Sequence, residues 1–327
     1  MCSPHDDRCI VSLLSIFATA ILPIVAIATA GFLLGSTRDV EAGSLNTVTV
    51  YVLVPALVFH TLTTTELGGE TLVSIAVGVF LFTGVMATLA QGTGTALGNA
   101  EPLLGTFVLV SVFSNAGNYG IPVSEFAFGS LGRSTAVVYI VAQSVAMYTL
   151  GVYLAARGDG SDWREGMRAI FAIPLIYTVV AALAARWLGV VPPADTAVME
   201  TLKLVGDSAI PVMLLILGIE LAETDYSAAA LQVTPAVGLK MLVAPVVAVG
   251  IATVVGFENQ TVARVFVLEC AMPAAVTTLI LTGEFAGETA GDLAATEYAS
   301  TAIFVSTLVS VPLLTGLIAV LQSGMIL

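Results

Sequence analysis

The sequence predicts an all-α integral membrane fold: ten transmembrane helices arranged as two inverted five-helix repeats, with helices four and nine broken at mid-membrane. Three observations predict it. Hydrophobic residues make up 57% of the chain and charged residues only 10%, with a mean hydropathy of +1.01, whereas roughly a quarter of residues are charged in soluble domains. Ten apolar stretches of spanning length then follow one another with short connections. Finally, prolines of the first half recur in the second half at a nearly constant offset.

A span needs about 20 mostly apolar residues. Such stretches cover approximately residues 12–36, 45–64, 71–97, 103–130, 134–156, 167–188, 197–222, 231–256, 261–286 and 293–321. The first carries "ILPIVAIATAGFLLG" and the second "VPALVF", each with one proline, Pro23 and Pro55. The third is uninterrupted, whereas the fourth is opened by "SNAGNYGIP", residues 114–122, and the fifth holds Gln143 and Ser144 at mid-span. A short linker, 157–166, separates the first repeat, 12–156, from the second, 167–321, and the whole chain, 1–327, forms one transporter-like domain. In the second repeat the sixth span carries Pro174, the seventh Asp207, Pro211 and Glu220, and the eighth Lys240. The ninth is opened by "LECAMPAAV", residues 268–276, and the tenth begins with Glu297 ahead of Ser300, Thr307 and Ser310.

Pro174 follows Pro23 by 151 residues, Pro211 follows Pro55 by 156 and Pro273 follows Pro122 by 151. Three matches in order argue for duplication of a five-helix unit. Because five is odd, the second copy enters from the opposite face, and inverted repeats are the architecture of many secondary transporters. Arg157, Arg164 and Arg168 cluster around the central linker, which the positive-inside rule places in the cytoplasm. Both termini then lie outside the cell, and the protein is expected as a multi-pass protein of the cell membrane.

The two interruptions carry the candidate site. Proline removes a backbone donor, and glycines such as Gly117 and Gly120 permit unusual backbone angles. Groups freed from a helix in hydrocarbon cost several kcal/mol each unless protein, water or ligand meets them. Half-helices starting near Pro122 and Pro273 would point N–H groups and a partial positive charge at mid-membrane, an outline of an anion site. Asn118 stands four residues before Pro122 and Glu269 four before Pro273, so the spacing sets them facing each other, with Asn115 one turn earlier. The expected substrate-binding set is Asn115, Gly117, Asn118, Gly120, Pro122, Glu269, Met272 and Pro273. The competing reading is that the amides only satisfy the broken helices.

Charges inside a bilayer usually face a cavity or a partner, which makes Glu125, Asp207, Glu220, Lys240 and Glu297, with Gln143, candidates for coupling or charge pairing. Lys240 is deep enough to pair with Asp207 or Glu220, or to meet substrate, and its alternative is snorkelling. Glu125 suits a helix start, and the hydroxyls of the tenth span suit helix packing.

Other classes fit less well. The net charge of -13 lies mostly in loops and reads as a surface adapted to high external salt. Cys2, Cys9 and Cys270, with His5 and His60, lack metal-ligand spacing, and no cofactor is expected. "GxxxxGK[ST]", "HExxH" and "GxSxG" are all missing, which argues against an ATPase or a membrane enzyme. Nothing suggests nucleic acid.

The combination "NAGNYGIPVSEFAFG", "SAIPVMLLILGIELA", "LKMLVAP", "AMPAAV" and "STLVSVPLL" resembles the auxin efflux carrier family, with prokaryotic PIN-like members. The resemblance covers essentially the whole chain. It implies the ten-helix inverted-repeat fold, with helices four and nine crossing at mid-membrane as broken helices and Asn115, Asn118, Pro122 and Pro273 at the substrate crossover. It also implies export of small organic anions, auxin-like acids or mono- and dicarboxylates, by alternating access. Glu269 departs from a purely anionic site. A Na+- or H+-coupled symporter, or a cation/proton antiporter of the same architecture, is the alternative, though Asn118 is neutral where an antiporter's second acid would stand. The expected partners are a small organic anion and the lipid bilayer, and a homodimer is compatible with the sequence.

Overall fold

The computed structural model describes residues 21–38, 42–65, 67–155, 174–223, 228–285 and 294–327, with the isolated positions 18 and 40. The linker arginines Arg157, Arg164 and Arg168 therefore lie outside the described residues. The principal helices are α1 (Leu22–Arg38), α2 (Ala42–Thr64), α3 (Gly69–Ala96), α4 (Leu103–Val112), α5 (Ala116–Ala155) and α6 (Pro174–Leu188). They continue with α7 (Ala197–Ala222), α8 (Thr234–Val255), α9 (Gln260–Cys270), α10 (Thr277–Phe285) and α11 (Ala295–Gln322). Among the described residues no β-strand occurs beyond one isolated bridge, and six helices are long and apolar enough to cross a membrane. α1, α4 and α6 are shorter apolar helices.

The surface is the reverse of a soluble protein's. On α3, Val73, Val77, Phe80 and Leu81 are exposed while Ile75, Val79, Phe82, Met86 and Ala90 are buried, so one helical stripe meets lipid and another meets protein. Both stripes are apolar, because lipid tails are as apolar as a core. Six aromatic side chains, Phe82, Phe107, Phe113, Tyr119, Tyr139 and Phe266, fill the interior.

The helices sort into two bundles. α1, α2, α6 and α7 pack on one another, and α3–α5 with α8–α11 form the second group. Small residues set the first bundle's spacing. A Cβ at Gly31 would stand 2.2 Å from the Leu215 carbonyl oxygen, and one at Gly218 would stand 1.9 Å from that of Ala28. α1 and α7 therefore touch backbone to backbone, as small residues permit in membranes. The bundles meet where α7 crosses the start of α5.

Proline acts in two ways. Wide π-turns at Thr49–Leu53, Ala116–Gly120 and Leu239–Val243 each precede a proline by two residues, at Pro55, Pro122 and Pro245. A proline cannot donate to the carbonyl four residues back, and a one-residue widening of the ladder accommodates that loss without ending the helix. α5 turns back on itself at Gly129, whose φ of 66° and ψ of -152° suit glycine alone.

Candidate functional site

Between α4 and α5 the chain is extended, with Phe113 at φ -84° and ψ 127°. Between α9 and α10 it is irregular from Ala271 to Val276. These two interruptions pair with each other. Asn115 N donates to Pro273 O at 2.7 Å and Ala275 N donates to Phe113 O at 3.0 Å, which makes the antiparallel bridge between Ser114 and Ala274. Backbone groups that neither helix can satisfy thus satisfy one another.

Side chains complete the ladder on both flanks. The Gln143 amide donates from Nε2 to Ser114 O at 2.8 Å and accepts at Oε1 from Ser114 N at 3.1 Å, so it acts as one residue of a neighbouring strand. On the other edge Ala274 N donates to Ser306 Oγ at 3.1 Å. Lys240, 0% exposed, donates from Nζ to Val112 O at 3.1 Å, Ser114 Oγ at 2.6 Å and Cys270 O at 3.2 Å. It meets main chain and a hydroxyl rather than Asp207, Glu220 or the surface.

The resumed helices start elsewhere than near the two prolines. α5 begins at Ala116, and Pro122 lies inside it, past the π-turn, with Gly120 N donating to Asn115 O at 2.9 Å. α10 begins at Thr277, four residues beyond Pro273, because the segment between them is taken up by the bridge. The first-turn N–H groups that a helix start leaves without an intrahelical partner are accordingly those around Gly117 and Asn118.

Asn118 and Glu269 are also set apart. Asn115, Gly117 and Asn118 line a cavity of about 220 Å³ between the bundles, together with Ser144 and Tyr148 of α5, Asn46 of α2 and Glu220 of α7. Glu269 lies behind the same helix. Its Oε1 accepts from Ser124 Oγ at 2.5 Å, and a Cβ on Gly120 would meet its Oε2 at 2.1 Å. Gly120 and Ser124, four apart, share a face that Asn118 does not. Gly120, Pro122, Met272 and Pro273 do not line the cavity.

Asn115 Nδ2 is buried, lacks a hydrogen-bond partner among the described residues and faces the cavity. The cavity adjoins a larger vestibule of about 660 Å³ that shares Asn46, Glu220, Val276 and Ile280 with it and is walled by Glu297, Ser300 and Thr307 of α11. Ala42 and Gly43 at the start of α2, Leu221 at the end of α7 and Thr296 at the start of α11 line the vestibule, so it lies toward those helix ends. No arginine or lysine lines either cavity among the described residues. The polar wall therefore offers amides, hydroxyls and a helix start as donors, beside two carboxylates.

At the opposite end Arg133 Nη1 pairs with Asp207 Oδ1 at 2.7 Å and Glu125 Oε1 at 3.5 Å, while Lys203 Nζ holds Asp207 Oδ2 at 2.6 Å. Arg133 belongs to α5 and Asp207 to α7, so this cluster ties one bundle to the other. Ser114, Ser124, Ser306 and Arg133 were missing from the sequence-derived set. For Ser114 the signal was its position at the break, and for Arg133 it was a lone basic residue at a turn.

Two overlapping segments of the chain, residues 16–169 and 166–318, each match the model of one family, described as membrane transport protein. An uncharacterized transporter of Methanothermobacter thermautotrophicus is 27% identical over 301 residues, 90% of this chain and 95% of that protein. An uncharacterized transporter of Methanocaldococcus jannaschii is 23% identical over 254 residues, 76% and 81% of the two chains. A Rhizobium meliloti protein named "Putative malonate transporter" is 24% identical over 319 residues, 93% and 95% of the two.

Proposed function

The chain belongs to the membrane transport protein family, that of the auxin efflux carriers, and from that membership we propose that it is a secondary transporter of small organic anions, mono- or dicarboxylates, working by alternating access. The carrying observation is the cavity of about 220 Å³ where two interrupted helices meet, with the Asn115 and Asn118 amides on its wall. In this reading the ten spans form two inverted five-helix repeats, supported by the twofold family match. The substrate's carboxylate takes the Asn115 and Asn118 amides and the start of α5, where amide dipoles favour an anion without a fixed cation.

If the central linker is cytoplasmic, the vestibule opens inward and the Arg133–Asp207 pair closes the outer side. The α3–α5 and α8–α11 bundle then moves against α1, α2, α6 and α7, carrying the site across. A negative interior supplies about 2.3 kcal/mol per charge per 100 mV for an anion leaving.

Transport of labelled mono- and dicarboxylates in proteoliposomes tests this, beginning with malonate because of the Rhizobium relative's name. Asn118→Ala and Pro273→Ala should each reduce it at least tenfold. Normal transport by both would refute the crossover as the site. One observation favours a coupled version: Glu269 is 0% exposed at the crossing and its Oε2 has no hydrogen-bond partner among the described residues, an arrangement suited to carrying a proton. Rates unchanged after collapse of the proton gradient would refute the coupled version.

A further inference from the structure

The carbonyl ends of both interrupted helices converge on a single point, and a cation stands there. α4 ends at Val112 and α9 at Cys270. A helix C-terminus carries about half a negative charge, so two such ends buried together repel unless something positive lies between them. Lys240 Nζ fills that place with three donors on three oxygens: Val112 O at 3.1 Å, Ser114 Oγ at 2.6 Å and Cys270 O at 3.2 Å. The ammonium has only three protons, and all three are used within the cage.

Two observations separate Lys240 from the cavities and from the acids. Lys240 lines neither cavity, so it does not face a ligand there. No carboxylate lies within ion-pair distance of it among the described residues. It projects from the π-turn Leu239–Val243, and its Nζ sits 5.6 Å from the centroid of the Phe82 ring, which adds a cation–π contribution. What surrounds the ammonium is a set of hard, uncharged oxygens from two half-helix ends and a hydroxyl. Unwound carbonyls and half-helix C-termini are the groups that hold Na+ in carriers with broken helices.

We propose that this cage is a monovalent-cation site whose occupant is the chain's own Lys240 ammonium. The tethered cation holds the crossover together without a bound metal, which makes the native protein indifferent to Na+ at this position. Removing the ammonium hands the cage to Na+, whose remaining ligands would be water in the space the side chain leaves.

The test is thermal unfolding of the purified full chain in NaCl and in choline chloride at equal ionic strength. The native protein should give the same Tm in both. Lys240→Ala should unfold at a lower temperature in choline chloride and recover with Na+ in a saturable way, by about 5 °C at a hundred times the dissociation constant. Lys240→Arg, which keeps the charge, should not respond, and Ser114→Ala added to Lys240→Ala should weaken the Na+ midpoint tenfold or more. If Lys240→Ala cannot be purified in choline chloride, purification in NaCl throughout should recover it. A variant that Na+ neither recovers nor stabilises overturns the proposal, and so does a native protein whose Tm rises with Na+ as much as the variant's.

Discussion

Gly218→Ala is the most direct test of how the α1–α7 frame is held. The added methyl would stand 1.9 Å from the Ala28 carbonyl oxygen, 2.7 Å from Phe32 N and 2.8 Å from Ala28 C. All three are backbone atoms of α1, so no side chain can rotate out of the way. Ordinary contact begins at 3.4 Å, and the helices must separate by more than 1 Å. Separation also loosens the reciprocal contact of Gly31 with Leu215. Overpacking that moves backbone costs about 1–3 kcal/mol and occasionally more, and at ~2–4 °C per kcal/mol the Tm should fall by about 2–12 °C. Thermal unfolding in detergent measures this, with Gly84→Ala as the control. A Cβ at Gly84 meets nothing within 4 Å, and replacing a helical glycine there should leave stability equal or raised by up to ~1 kcal/mol. If Gly218→Ala melts with Gly84→Ala and with the native protein, backbone contact does not set the frame's spacing.

Two further outcomes follow from the crossing and its outer end. Gly120→Ala pushes a methyl against the Glu269 carboxylate, which is held by Ser124, and should lower transport and Tm; Glu269→Ala in the same chain should restore Tm with a coupling of about 0.5–3 kcal/mol, and strict additivity would show that the two do not press on each other. Arg133→Ala removes a bundle-to-bundle ion pair whose side chains are 14% and 37% exposed. Such a pair is worth about 0.2–1 kcal/mol, so a thiol reagent confined to the vestibule side should label Ser300→Cys up to about fivefold more slowly, as the other state gains population. An unchanged labelling rate at low salt would mean that the pair does not distinguish the two states.

The interruptions were legible in the sequence because proline, glycine and asparagine have no other reason to stand together in hydrocarbon. The duplication is proposed from Pro23, Pro55 and Pro122 and their partners, and the family match falls on both halves. What spacing could not supply was rotation. Counting four residues back from each proline sets Asn118 opposite Glu269, but the π-turn at Ala116–Gly120 inserts one extra residue into the ladder. Each residue turns a helix by about 100°, enough to send Asn118 to the cavity and to bring Gly120 against Glu269. Gln143 was visible as a polar residue in mid-span, yet its partner Ser114 is 29 residues away, and no local pattern announces a side-chain amide acting as a strand. Lys240 was read for an acidic partner, a substrate or the interface, because a buried charge usually has a partner or snorkels. Helix ends served instead, and helix ends do not appear as charges in a sequence.

The bridge between residues 113–115 and 273–275 is made of main chain, and this separates two kinds of change that evolution or an engineer could introduce. Hydrogen bonds between peptide groups place few demands on the side chains they carry. The cavity wall at Asn118, Ser144 and Tyr148, the solute's site in the function proposed above, can therefore be rewritten while the scaffold beneath it stays as it is. One backbone joint can in this way serve a lineage of carriers with many cargoes.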